Sequence, residues 1–164
     1  MGIMHHRSRK SRGFSFIELL ASVAILGVLA MLAVPVVETS ARRAKERELR
    51  LALNEIRTAL DAYKMATVQG RIVIRPEDSG YPATLLDLVI GVEDASRPGG
   101  PKLKFLRRVP RDPFFSDESV PSVDTWGLRS FASDYDRPSP GVDVFDVYSK
   151  SSAKGLNGIP YSEW

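Results

Sequence analysis

The chain has no cysteine, and its only two histidines, His5 and His6, both precede the first basic residue, Arg7. The first absence excludes disulfide staples, a thiol nucleophile and a cysteine metal site. The second excludes a Ser-His-Asp arrangement anywhere beyond the N-terminus. No glycine-rich, phosphate-cradling loop occurs either, so the chain reads as a non-enzyme. Excess charge is also missing. The net charge of +3 has a local origin: of 23 Lys and Arg, four (Arg7, Arg9, Lys10 and Arg12) cluster before Gly13, leaving 19 to face 20 Asp and Glu. That balance gives no electrostatic case for nucleic acid. His5 and His6 are assigned no role.

What the chain does have is one long apolar run, free of charge from Leu19 to Val37. As a helix rising about 1.5 Å per residue it is long enough to cross about 30 Å of hydrocarbon. The cations before it, with no acid among them, keep the N-terminus on the cytoplasmic side and send the C-terminus outward. Glu18 stands at the head of this run. A charged side chain inside a bilayer-length helix costs about 2.5–3.5 kcal/mol even on lenient insertion scales, so it marks a function. Plainer readings compete with that one. Glu18 near the helix start has room to snorkel toward the inner headgroups. A secretory signal also has a basic start and an apolar core, but a glutamate in that core is unusual, and a small-residue cleavage site such as Val28-Leu29-Ala30 would sit inside the run. A plain single-span anchor has no need of Glu18.

The basic leader ending at Gly13, Phe14 after it, Glu18 at the fifth place beyond that glycine and Pro35 late in the run together resemble the type IV pilin and pseudopilin family. The resemblance implies that a prepilin peptidase cuts between Gly13 and Phe14 and methylates the new N-terminus. Cleavage would create an α-amine at Phe14 with a reference pKa of about 7.7–8.0, at least half protonated near neutral pH. In a filament core, Glu18 of one subunit would pair with the Phe14 amine of its neighbour. Such a pair relieves a buried charge and fixes register more than it adds net stability.

Beyond the run the helix is expected to continue. Leu49, Leu53, Ile56, Leu60 and Tyr63 recur at helical spacing and predict one buried stripe. Glu38 with Arg42 and Glu46 with Arg50 have the acid-first, four-apart order that favours helix pairs. Gly70 is the expected stop. A helix from residue 14 to 69 would be about 84 Å long. Pro35 inside it removes a backbone donor and crowds the preceding turn, which predicts a kink that frees the membrane half to reorient. Simple tolerance of a membrane proline is the alternative.

Residues 71–111 are rich in proline and glycine, with a short helix expected over 83–92 capped by Thr84. The aromatic and β-branched stretches 126–135 and 142–149, separated by turn residues, predict two strands, with Val142, Val144 and Tyr148 on one face and Asp143 and Asp146 elsewhere. The order Gly80-Tyr81-Pro82, short helix, Phe105-Leu106, then Val109-Pro110-Arg111-Asp112-Pro113-Phe114 is similar to the major pseudopilins of type II secretion. The expected fold is therefore α+β and pilin-like, a long N-terminal helix packed on a small antiparallel sheet. Its expected parts are a prepilin leader (1–13), a transmembrane and assembly half-helix (14–37) and a periplasmic domain (38–164) that includes an amphipathic helix (38–69).

The resemblance also implies calcium in the loop after the last strand, where aspartates follow a serine-glycine turn. Asp143, Asp146 and Asn157 are the oxygen donors available for it. The loop itself departs from that pattern, because Lys150 and Lys154 stand where acidic character is expected. A solvated loop held by Asn157-Gly158 turn geometry and by packing of Tyr161 or Trp164 is the other reading. The implied partners are the prepilin peptidase, copies of the chain and other pseudopilins, an inner-membrane assembly platform and the bacterial inner membrane itself, crossed once. The expected function is a structural subunit of a type II secretion pseudopilus. A major or minor type IV pilin, or an anchored periplasmic binding domain that never polymerises, are the alternatives.

Overall fold

The computed structural model describes residues 13–164, apart from the side chains of residues 32–37. Helix α1, Phe16–Val68, is the dominant element. It begins where the carbonyl of Ser15 accepts the N–H groups of Glu18 and Leu19 at 3.0 and 3.1 Å. The chain divides into two compact units, Met1–Ala41 and Arg42–Trp164, and α1 contributes to both. The expected kink at Pro35 falls among residues 32–37 and lies outside the described side chains.

In the second unit the predicted stripe is the core. Leu49, Leu53, Ile56, Leu60 and Tyr63 are all buried, as are Ala52, Ala59 and Ala66, whose small side chains allow close approach of the chain that covers the helix. Each large side chain so buried contributes about 1.5–3 kcal/mol of transfer free energy. The helix stops as Gly70 foretells. Gly70 adopts φ 71°, its N–H bonds the Thr67 carbonyl at 2.9 Å, and the Arg71 N–H reaches back to Ala66 at 2.9 Å. This double closure is a Schellman motif, which satisfies carbonyls the last turn leaves open.

The expected surface pairs are replaced by others. Arg42 lies 3.9 Å from Glu46 rather than pairing back to Glu38, and the Arg50 guanidinium stacks 4.3 Å from the Trp164 ring centre. Both changes have one cause: the C-terminal segment covers this face of α1 and buries Glu46.

The short helix is shorter than expected and is capped differently. Helix α2 spans Asp87–Ile90, and Thr84 does not cap it through its side chain. Instead the Thr84 N–H donates to the Asp87 carboxylate at 2.8 Å. Competing long-range bonds end the helix early. The Leu88 carbonyl accepts the N–H groups of Phe105 and Leu106, and Val92 pairs antiparallel with Leu103 immediately afterwards.

Two strands complete the domain. Strand β1, Trp126–Arg129, pairs antiparallel with β2, Asp146–Ser149, in the register Trp126 to Ser149 and Arg129 to Asp146. Both are shorter than the predicted 126–135 and 142–149, because residues 130–145 form a loop closed by side chains rather than a ladder. Val142 and Val144 consequently do not share a face: Val142 is exposed and Val144 is buried before β2 begins. Within β2, Val147 and Ser149 point inward. Tyr148 points the other way and lies over its cross-strand partner Gly127, where a Cβ would come within 2.3 Å of the ring. Only glycine fits beneath that ring. Trp126, Val144, Val147 and Tyr161 join the α1 stripe in one core, which gives the α+β, pilin-like architecture.

Candidate assembly site

The described residues of the N-terminal unit carry an exposed apolar surface. Every described residue from 13 to 31 is exposed. These include Phe14, Phe16, Ile17, Leu19, Leu20 and Val23 at 50% or more of their full area. A helix apolar on all sides is built to be buried in lipid or in other helices. Glu18 is the sole charged residue among residues 13–31. Its backbone carbonyl accepts the Ser22 hydroxyl at 2.7 Å, which satisfies a polar side chain inside the run. Phe14 lies two residues before α1 begins, and Glu18 stands in its first turn. Among the described residues no helix is long and apolar enough to cross a membrane. The run read from the sequence extends to Val37, and its last six residues have no described side chains.

The three oxygen donors considered for calcium are each engaged within the protein and by different groups. Asp143 is buried and accepts the Ser130 hydroxyl at 2.8 Å and the Phe131 N–H at 2.9 Å. Burial raises its pKa, but hydrogen bonds from Ser79, Phe131 and Ser130 outweigh that and hold it below the usual aspartate value. Asp146 receives the Arg57 guanidinium at 2.8 Å. Asn157 is exposed, and its side-chain oxygen caps the Ile159 N–H at 3.1 Å. Among the described residues no three His, Cys, Asp or Glu side chains converge as a metal site would require.

Asp112, within the Pro-Arg-Asp-Pro stretch, has a structural task. Its buried carboxylate accepts the Phe114 N–H at 2.8 Å and the Ser149 hydroxyl at 2.6 Å, which ties the entry to the sheet onto β2.

Of the polar residues that hold the C-terminal segment, sequence reasoning named Arg42 and Glu46 only as members of helix pairs and Tyr161 only as a packing ring, and it missed Arg57. A signal for one of them was present. Glu46 lies three residues before Leu49, on the line of the buried stripe, where an acid is anomalous. Its partners were invisible, since Tyr161 lies more than a hundred residues away.

The model of the prokaryotic N-terminal methylation motif matches residues 8–34. Over 162 residues the chain is 30% identical to a type II secretion system core protein G of Klebsiella pneumoniae, covering 94% of this chain and 91% of that one. The protein of the same description from Pseudomonas aeruginosa is 30% identical over 148 residues, covering 86% and 83%. That of Vibrio cholerae is 27% identical over 166 residues, covering 96% and 94%. No solved structure matches the chain.

Proposed function

The chain belongs to the family of type II secretion system core protein G, the major pseudopilins, and is a structural subunit rather than an enzyme; from that premise we infer how its N-terminus is processed and buried. A prepilin peptidase cuts between Gly13 and Phe14 on the cytoplasmic side and methylates the Phe14 amine. The helix beginning there anchors the subunit in the bacterial inner membrane as a single pass, with residues 38–164 in the periplasm. An inner-membrane assembly platform then moves the subunit into a filament, where copies of the chain and other pseudopilins cover the helix. Pro35 softens the helix for that transfer, since it lacks one backbone donor.

The observation that carries this reading is the exposed apolar helix headed by a single carboxylate, inside a stretch that matches the methylation motif. In the membrane-resident monomer Glu18 is a costly charge near lipid. In the filament the Phe14 amine of a neighbouring subunit neutralises it, so assembly is favoured and register is set at once. Two measurements test this. Mass analysis of the membrane-extracted protein should find a chain that starts at Phe14 and carries one added methyl group; an intact Met1, or a chain starting after Ala30, would sink the processing scheme. Glu18→Ala should be processed and inserted normally yet fail to form filaments or support export. Normal filament formation and export by that variant would rule out Glu18 as the assembly contact, and normal export with no filament of this chain would favour an anchored periplasmic domain instead.

A further inference from the structure

The C-terminal segment after β2 is fastened to α1 by a closed set of protein groups. Glu46, buried on the helix, accepts the Leu156 N–H at 2.7 Å and the Tyr161 hydroxyl at 3.0 Å through the same carboxylate oxygen. Arg42, one turn earlier, donates from Nε to the Tyr161 oxygen at 3.2 Å and from its terminal nitrogen to the Lys154 carbonyl. Arg42 Nε also lies 3.9 Å from the Glu46 carboxylate. Arg57, further along the helix, grips the other side: it donates to Asp146 at 2.8 Å, to the Val147 carbonyl at 3.2 Å and to a Trp164 oxygen at 2.8 Å. Between these grips the Tyr161 ring stacks on Phe114 at 4.0 Å, and Trp164 packs edge-on against Tyr161 at 5.0 Å.

A divalent cation does not fit this arrangement. An oxygen cage of six to eight donors requires carboxylates free to turn toward one point. Asp146 is taken by a guanidinium, Asp143 by a hydroxyl and an N–H in the loop before β2, and Asn157 by its own turn. The segment also brings its own cations, Lys150 and Lys154. Lys150 donates to the Asp124 carbonyl at 2.8 Å, placing its cation on the protein itself.

We propose that Arg42, Glu46, Arg57 and Tyr161 form a metal-independent clasp that holds residues 150–164 on α1, doing with protein charges what a bound calcium ion would otherwise do. The chemistry is self-sufficient. Glu46 supplies the anion, Arg42 and Arg57 the cations, and the Tyr161 hydroxyl donates to Glu46 while accepting from Arg42. Burial, reinforced by Glu46 and opposed by Arg42, raises the pKa of the Tyr161 hydroxyl, which keeps it protonated and able to donate. Breaking one link strands a buried charge or an unpaired N–H, so the links act together. The clasp lies wholly within Arg42–Trp164, so it works whether or not the helix is in a filament.

The test uses the full chain in detergent micelles and follows thermal unfolding together with the rate of proteolytic cleavage inside residues 150–164, in calcium chloride and in excess EGTA. The wild-type melting temperature and cleavage rate should be the same in both. Glu46→Gln and Tyr161→Phe should each speed cleavage about tenfold, equally with and without calcium, as the loss of buried hydrogen bonding at the Glu46–Tyr161 link predicts. Tyr161→Phe keeps the ring and its stack on Phe114, so it decides the matter if Glu46→Gln folds poorly. Protection of the wild-type segment by calcium would overturn the clasp. So would a cleavage rate unchanged by Tyr161→Phe.

Discussion

Asp94 shows how one residue couples the domain to pH. Its carboxylate is buried in the turn after α2, 2.6 Å from the Arg71 guanidinium, and also accepts the Ser96 hydroxyl and, at 3.0 Å, the Ser96 N–H. Arg71 first and Ser96 second lower its pKa to about 2. An unfolded aspartate titrates near 3.9. Because the folded value is the lower one, ionised Asp94 favours the native state above about pH 4, and that contribution disappears as pH falls through about 2. Asp78, Asp117 and Asp143 are shifted in the same direction, so the whole domain should weaken over this acid range. Asp94→Asn isolates one share. The gap in urea midpoint between wild type and Asp94→Asn should be widest near neutrality and close between pH 4 and 2; a gap independent of pH would rule out the Arg71 and Ser96 contacts as its origin.

Among the elements, α1 was the most legible because its buried positions follow one local period, and Leu49, Leu53, Ile56, Leu60 and Tyr63 all reach the core. Its stop was legible for the same reason, since a glycine after the last periodic residue is a local signal. The remaining elements answer to distant partners. The expected helix over 83–92 shrank because Phe105 and Leu106 claim the Leu88 carbonyl, and the strands shrank because Asp143 and Ser130 close the loop between them. In the site, Gly13, Phe14 and Glu18 are readable as a contiguous motif. The clasp is not, because Arg42 and Tyr161 meet only once the domain has folded. The helix stop can be tested alone. At Gly70, φ is +71° and no atom beyond the adjacent residues lies within 4 Å of where a Cβ would stand, so any penalty in Gly70→Ala comes from backbone strain and not from a clash with the rest of the domain. That substitution should destabilise the domain by about 1–2 kcal/mol, and Gly70→Asn by less, since asparagine tolerates left-handed backbone. Equal stability of Gly70→Ala and wild type in denaturant titration would mean that the Schellman closure is not the stop.

For the whole molecule, the two units divide the physics. The buried core, from Leu49 to Tyr161, belongs to Arg42–Trp164, whereas the exposed apolar residues from Phe14 to Met31 belong to Met1–Ala41. Folding and assembly therefore draw on different parts of the chain. Core packing and the clasp stabilise the domain, and the exposed helix gains only when lipid or neighbouring subunits cover it. The charge balance of 19 basic to 20 acidic side chains outside the leader adds no strong repulsion between neighbouring copies. If this separation holds, a fragment of residues 38–164 should be soluble without detergent, monomeric by size-exclusion chromatography and cooperatively folded by circular dichroism, because it retains every residue of the core. The full chain should need detergent. A fragment that aggregates, or melts without a cooperative transition, would mean that the N-terminal half of α1 contributes to folding. The division between a self-sufficient domain and an assembly helix would then be untenable.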